Sequence, residues 1–293
     1  MVQKEINKAL IRHGLDDKFH NTVKTVYEPL ANEIAKASEK SSCFFLGVQG
    51  CQGSGKSTLA DFLQLLLQHE HGKNVAVLSL DDFYLTRQER IQLAETVHPL
   101  LVTRGVPGTH DTSLAMDIFA KLKNLQLNQN LALPGFNKAT DDRAAEDEWK
   151  LIEGPVDIVI FEGWCIGAGP QQESELIKPI NTLEEQEDKD GSWRQFVNAQ
   201  LGGDYQQLFS TLDKLVVLNA PSFDCVYAWR SLQETKLAEK VKISRQTGTK
   251  LLSSSELRRF ISHYERLTTH CIKTLPQKAD WLLPLNSNHE VVI

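Results

Sequence analysis

The chain has 293 residues, 41% hydrophobic and 24% charged, enough to bury a sizeable core in one large domain or two small ones. A formal charge of −6 argues against a nucleic-acid partner, because gripping a phosphate backbone calls for a basic face. No apolar stretch approaches the roughly 20 residues that span a bilayer, and Cys43, Cys51, Cys165, Cys225 and Cys271 form neither a CxxC pair nor a zinc spacing, so a protein of the reducing cytoplasm with no membrane partner is expected.

Residues 3 to 38 carry Leu10, Phe19, Val23, Tyr27, Leu30 and Ile34 at broken helical spacing, which predicts a packed helical extension over residues 1 to 40. Cys43 to Val48 reads as a buried strand. It runs into Gly50-Cys-Gln-Gly-Ser-Gly-Lys-Ser57, a match to GxxxxGK[ST], and then into a helix from Lys56 to Gln68. His69 and His71 adjoin Gly72 at the helix end, a position that favours a solvated cap over a ligand pair. Val75 to Leu80 is a second strand ending in Asp81-Asp82, and two strands separated by a helix imply parallel pairing.

Leu85 to Val97 predicts a helix, Thr103 to Asp111 a Pro/Gly-rich connection, and Thr112 to about Leu125 a helix with Asp111 as N-cap. Leu131 to Pro134 leads into a polar loop through Arg143, and Val156 to Phe161 is a third strand ending at Glu162-Gly163. The stretch Ser174 to Gly191 is charge-dense, and its acidic run, Glu184 to Asp190, reads as a solvated helix end. Helices are expected at Trp193 to Leu201, Tyr205 to Leu212 and Ser222 to Val241, with a long amphipathic one at Ser254 to Leu275 begun by Ser255. Leu215 to Leu218 and Trp281 to Leu285 complete five strands. The expected fold is α/β, three layers around a mainly parallel five-stranded sheet, in one domain over residues 1–293 with its core at 43–293 and a helical lid at about 230–250.

A Gly-rich turn between a buried strand and a helix is what a nucleotide triphosphate site needs. Its glycines let backbone N–H groups turn inward around phosphate, the helix N-terminus is partially positive, and Lys56 adds a mobile cation. The cradle would comprise Gly50, Cys51, Gln52, Gly53, Ser54, Gly55, Lys56, Ser57 and Thr58, with Ser57 placed to ligate Mg²⁺. Cys51 is either a permissive loop position or a thiolate favoured by the helix N-terminus. In open α/β sheets the ligand lies beyond the carboxyl ends of the strands, where Asp81 and Glu162 arrive. Carboxylates there accept a proton from an attacking hydroxyl or hold Mg²⁺ together with Ser57. The competing reading is that Asp81 or Asp82 merely caps the helix beginning near Tyr84. No NKxD guanine reader follows, since Asn137-Lys138 leads to Ala139-Thr140, and no LSGGQ-like run is present, so a small-molecule kinase is favoured over a GTPase or transporter ATPase.

The strings SLDDFYLT (Ser79 to Thr86), RGVPGTHD (Arg104 to Asp111), LPGFNKATDDR (Leu133 to Arg143), FEGWCIG (Phe161 to Gly167) and YAWR (Tyr227 to Arg230) resemble the D-glycerate 3-kinase family, within the phosphoribulokinase, uridine kinase and pantothenate kinase group of P-loop kinases. The resemblance covers roughly residues 43 to 290. It implies ATP and Mg²⁺ as cofactors, Asp81 as base toward the acceptor hydroxyl, and Glu162 on the Mg²⁺ side. It further implies Arg104, His110, Asp111, Lys138 and Arg143 toward the acceptor, and Arg230 as a lid arginine. Lys236 and Arg245 are further lid candidates, and an ion pair of Arg230 with Glu234 is the competing reading. Where the family loop reads YDKS and then GDR, this chain has Phe136-Asn137-Lys-Ala and Asp142-Arg143, a loss of one hydroxyl and one negative charge. The implied activity is phosphorylation of a small hydroxy acid, D-glycerate first. The alternatives are a nucleoside or pantothenate-like acceptor, or a regulatory ATP-binding protein. Adenine is expected near the last strand and Asn286 to Asn288.

Overall fold

The computed structural model describes residues 2–244 and 253–292. Helices α1 (Val2–His13), α2 (Phe19–Thr22) and α3 (Glu28–Ser38) precede strand β1 (Phe44–Gly50), which feeds the phosphate loop and helix α4 (Lys56–His71). Strand β2 (Val75–Ser79) follows, then α5 (Arg87–Thr96) and α6 (Thr112–Lys123). Two small antiparallel pairs, β3 (Asn130–Leu133) with β6 (Lys150–Glu153) and β4 (Phe136–Asn137) with β5 (Asp142–Arg143), precede β7 (Ile158–Gly163). Helices α7 (Thr182–Glu187), α8 (Ser192–Gly202) and α9 (Asp204–Phe209) lead to β8 (Lys214–Asn219), and α10 (Phe223–Ser244), α11 (Ser254–Thr274) and β9 (Trp281–Pro284) complete the described chain.

The central sheet has the order β2-β7-β1-β8-β9, and every pair in it is parallel. All residues of β1 and β7 are buried, as strands covered by helices on both faces must be. Alternate side chains divide between the two faces. Phe44, Leu46 and Val48 join one core with Ile158, Ile160 and the apolar side of α4, while Phe45, Val159 and Phe161 join the other with α6, α9 and α11. This crossover order leaves the β1–α4 turn flanked by β7 and β8, so the ends of β1, β2 and β7 open on one crevice.

The N-terminal extension packs on α4 through Ile6, Ala9, Leu10 and a ring cluster of Phe19, Tyr27 and Phe62. It is a chain of short helices broken at Gly14 and linked by a π-turn at Val23–Tyr27 instead of one run. Asp111 caps α6 by accepting the Leu114 N–H at 2.9 Å, as expected. Ser253, not Ser255, caps α11, its hydroxyl and Glu256 forming a reciprocal capping box.

The acidic run Glu184 to Asp190 is a solvated helix end at Glu185, Glu187 and Asp190, but not at Glu184 and Asp188. Glu184 and Asp188 are buried, because Arg266 of α11 and Arg194 of α8 arrive to neutralise them at 2.6 and 2.7 Å. The β3–β6 and β4–β5 pairs were also unforeseen, their strands being only four and two residues long. Of the expected lid, residues 245–250, with Arg245 and Thr247-Gly-Thr, lie outside the described residues, as do the side chains of Glu234 and Lys236.

Candidate active site

Helix α4 starts directly on the phosphate loop, with Gly55 at its N-cap and no side chain capping it, so its first N–H groups remain available to an anion. Gly53 and Gly55 have φ of +82° and +89°, conformations that side-chain-bearing residues rarely adopt. A Cβ on Gly55 would meet nothing within 4 Å, whereas one on Gly53 would lie 2.7 Å from Cβ of Trp229. Helix α10 therefore rests on the loop itself. Trp229 is locked there by stacking on His289 at 4.3 Å and by donating its indole N–H to the Ser287 carbonyl at 2.8 Å.

A cleft of about 340 Å³ opens over this loop. Its walls bring together Gln52, Gly53, Lys56, Ser57, Asp81, Arg104, Lys138, Glu162 and Arg230, residues from six separate stretches of chain. Tyr84, Trp164, Phe260 and Tyr264 complete it. Tyr84 and Trp164 fall within the strings SLDDFYLT and FEGWCIG, but nothing in the sequence gives a site role to any of these four aromatics. Tyr264 and Phe260 lie at the apolar spacing of α11, and Trp164 follows a buried strand, so each reads as core.

The Ser57 hydroxyl donates to Glu162 Oε1 at 2.8 Å, and Lys56 Nζ lies 3.9 Å from Glu162 Oε2, an atom that is buried with no hydrogen-bond partner. A hydroxyl beside a carboxylate with a spare buried oxygen is a hard-donor pair that suits Mg²⁺, which binds through one or two carboxylates plus substrate phosphates. Among the described residues no group of three or more His, Cys, Asp or Glu could hold a metal alone. The third expected metal ligand, Asp81, has both oxygens engaged. Oδ1 accepts from the Tyr84 hydroxyl at 2.9 Å, and Oδ2 pairs with Lys138 Nζ at 2.7 Å. Burial alone would raise the Asp81 carboxyl, but Lys138 and Lys56 outweigh it and bring it down to about 2. Asp82 is the capping residue of the two. It accepts the Ser79 N–H at 3.0 Å, and burial with Asp81 and Glu162 nearby pushes it up to about 6.

Arg104 is aimed by three contacts: an ion pair with Asp141, its guanidinium over the Phe136 ring at 5.3 Å, and its carbonyl taking the Tyr264 hydroxyl at 3.1 Å. Phe136 is thus a platform for a cation. Asn137 shapes the turn that carries Lys138, its Oδ1 accepting the N–H groups of Ala139 and Thr140.

His110, Asp111 and Arg143 do not reach the cleft wall. Arg143 pairs with Asp111 at 3.0 Å and donates to the Tyr84 carbonyl at 3.3 Å, and the His110 ring stacks on Tyr84 at 4.5 Å. Together they brace Tyr84 from behind. His110 is buried, which drives its pKa down to about 3, so at neutral pH it brings no cation to an acceptor. Of the loop residues, Thr58 faces His13 of the extension at 3.4 Å. Cys51 is buried and its thiol is pushed up to about 12 despite Lys56, which removes the thiolate reading.

The chain is 34% identical over 265 residues to the uncharacterized kinase mug58 of Schizosaccharomyces pombe, covering 86% of this chain and 91% of that protein. It is 30% identical over 242 residues to the chloroplastic D-glycerate 3-kinase of Arabidopsis thaliana, spanning 80% of this chain and 49% of that longer protein. The solved D-glycerate 3-kinase of Cryptococcus neoformans superposes with a TM-score of 0.71 at 26% identity, over 90% of this chain and 98% of that one. The chain belongs to the D-glycerate 3-kinase family of P-loop kinases. No family model matches it. It is an ATP-dependent phosphotransferase with an alcohol acceptor. No helix of this kinase, among the described residues, is long and apolar enough to cross a membrane.

Proposed function

We propose that the kinase transfers the γ-phosphoryl group of ATP to D-glycerate, giving 3-phosphoglycerate, with Mg²⁺ and in the cytoplasm. The observation that carries this reading is the charge of the cleft: Lys56, Arg104, Lys138 and Arg230 against the carboxylates of Asp81 and Glu162. An acceptor carboxylate about 5 Å from a γ-phosphate oxygen is opposed by roughly 3 kcal/mol per charge pair at an effective dielectric near 20. Cations on the Asp81 side offset that cost, and a nucleoside would not need them. The D-glycerate 3-kinase names borne by the relatives from Arabidopsis and Cryptococcus agree with an acceptor of this class.

In this reading the phosphate loop from Gly50 to Thr58 holds the triphosphate, and Lys56 neutralises its β- and γ-oxygens. Ser57 and Glu162 would hold Mg²⁺, whose charge supports the leaving ADP, while Asp81 orients the acceptor hydroxyl and takes its proton. Arg104 and Lys138 receive the acceptor carboxylate, Arg230 spans the transferring phosphate with its rigid fork, and the layer of His110, Asp111 and Arg143 fixes Tyr84. The test is ADP release measured across a panel of hydroxy acids, nucleosides and pantothenate-like alcohols. D-Glycerate should give the highest kcat/KM. A preference for a neutral acceptor, or an ATPase rate indifferent to every acceptor, would overturn the assignment.

A further inference from the structure

Arg90 of α5 carries a positive charge into the interior, with 1% of the residue exposed. Its Nε donates to the Leu85 carbonyl at 3.2 Å, Nη1 to the Val102 carbonyl at 2.8 Å and Nη2 to the Asp141 carbonyl at 2.6 Å. Nη2 also pairs with Asp141 Oδ2 at 3.1 Å, while Asp141 Oδ1 accepts from Nη1 of Arg104. One carboxylate thus bridges two guanidiniums, a buried one and one on the cleft wall, and both lie over the Phe136 ring at 5.9 and 5.3 Å. Asp141 sits at the end of the β4–β5 turn with φ of +57°, a left-handed conformation that Asp and Asn accept and most other side chains avoid. Held at Nη1, Arg104 presents its Nε–Nη2 edge to a ligand. That is the edge by which Arg259 and Arg266 grip Glu187 and Glu184 elsewhere in this protein.

We infer that Asp141 sets the charge of the acceptor: it holds Arg104 by one edge and cancels one of the two guanidinium charges, so that the site takes a hydroxy acid with a single carboxylate and turns away dianionic acceptors. This rests on the hydroxy-acid reading above. Arg90, Asp141 and Arg104 together carry one surplus positive charge. The neighbouring cations are already matched, Lys138 by Asp81 at 2.7 Å and Arg143 by Asp111 at 3.0 Å. Asp142, next in the chain, is engaged at the start of α5, where it accepts the Arg87 N–H at 3.0 Å and the positive helix end answers it. A surplus of one suits an acceptor with one negative charge. Without Asp141 two uncompensated guanidiniums would stand beside the acceptor and favour a dianion. With it, a second acceptor charge meets a carboxylate, and the repulsive element supplies the discrimination.

The test measures kcat/KM for three acceptors that share a primary hydroxyl and differ in charge: neutral glyceramide, D-glycerate, and hydroxymethylmalonate with two carboxylates. They are compared in the wild type, Asp141→Asn and Asp141→Gly, with melting temperature and ATP binding as checks on folding. Asparagine keeps the shape and accepts the left-handed backbone, and glycine removes the side chain without strain, so both variants retain the carbonyl bonds that hold Arg90. Wild type should favour D-glycerate over hydroxymethylmalonate by about tenfold or more. In both variants the ratio of hydroxymethylmalonate to D-glycerate should rise by about tenfold, while the ratio of glyceramide to D-glycerate does not rise. An equal loss on all three acceptors would overturn the inference and leave Asp141 with a structural role alone. Unchanged ratios, or a shift toward glyceramide, would overturn it as well. The hydroxy-acid reading is decided separately, by the wild type: it fails if glyceramide is preferred to D-glycerate. The change in the ratio of hydroxymethylmalonate to glyceramide on removing the Asp141 charge then still decides whether this residue selects acceptor charge.

Discussion

The hydroxyl of Ser57 and the carboxylate of Glu162 meet at 2.8 Å although 105 positions separate them, because β1 and β7 are adjacent and in parallel register, with Gln49 opposite Gly163. That contact joins the start of α4 to the end of β7, and these two side chains are the ones that would hold Mg²⁺. Ser57→Ala and Glu162→Gln each remove one oxygen donor. Either should raise the Mg²⁺ concentration needed for half-maximal activity by about 10- to 100-fold, the range seen when a supporting ligand is lost. Activity titrated against Mg²⁺ at fixed ATP measures it, and a chelator in excess should abolish wild-type turnover. An unchanged titration in both variants would place the metal elsewhere.

Asp81→Asn keeps the shape of the cleft and the Tyr84 contact but cannot take a proton. Turnover should fall by about 10²- to 10⁴-fold, the span a positioned base supplies, with ATP affinity within about threefold of wild type. Isothermal titration with ATP beside steady-state rates separates the two. A variant that keeps its kcat would exclude Asp81 as the base.

The parts of this site that could be read from sequence are those tied to a strand end. The run from Gly50 to Ser57, Asp81 and Glu162 each follow a buried apolar strand, and a parallel sheet has only one edge on which such ends can collect. Residues reaching the cleft by tertiary packing gave no such signal. Tyr264 occupies a core position of an amphipathic helix and is recognisable only once α11 is seen to lie across the Arg104 carbonyl. His110 and Arg143 sit beside the right motif, yet the stacking of Tyr84 turns them to its far side, which local spacing does not encode. The acidic run misled for a related reason, since Arg266, the partner of Glu184, lies 82 positions away.

Gly53→Ala tests the contact between the phosphate loop and α10. At φ of +82° an alanine is strained by about 1 to 2 kcal/mol, and its Cβ would also meet Trp229 at 2.7 Å, next to the backbone where no rotamer change relieves it. Both a lower melting temperature and weaker ATP binding should follow. Gly55→Ala has comparable backbone strain but open space around the new atom, so it should weaken ATP binding with the smaller loss of stability. Thermal unfolding with and without ATP distinguishes them, and equal destabilisation would show that the Trp229 contact yields.

Stability should decline with acid before the ordinary carboxylates titrate. His110 carries a pKa of about 3 in the fold against a usual value near 6.5, so between those values the unfolded chain binds a proton that the folded chain refuses. Its neutral-state advantage is complete above about pH 6.5 and is lost progressively as pH falls toward 3, about 2 kcal/mol by pH 5. His263 and His270 are shifted in the same direction by burial. Asp82 works the opposite way, since its raised pKa of about 6 favours the fold when protonated, an advantage lost as pH rises through that value. Urea unfolding at about pH 7.5 and pH 5 should show a smaller difference for His110→Asn than for wild type. An equal difference would mean that His110 does not titrate in this window.

Glu184 and Arg266 form the deepest ion pair between α7 and α11, with the carboxylate fully buried and the guanidinium also bonded to the carbonyls of Glu175 and Lys178. Glu184→Gln leaves the arginine without its countercharge and should cost about 3 to 5 kcal/mol, whereas the paired apolar replacement Glu184→Leu with Arg266→Met should cost less than that single change. The pair also sets the position of α11, which two residues before Arg266 presents Tyr264 to the Arg104 carbonyl at 3.1 Å. At temperatures where Glu184→Gln remains folded, its acceptor KM should rise by a few-fold while its ATP KM holds, because the phosphate loop is anchored by α10 and β1 rather than by α11. Denaturant unfolding and two-substrate kinetics on the same preparations test both halves. A shift in the ATP KM alone would show that α11 is set by other contacts and that Arg104 is aimed without it.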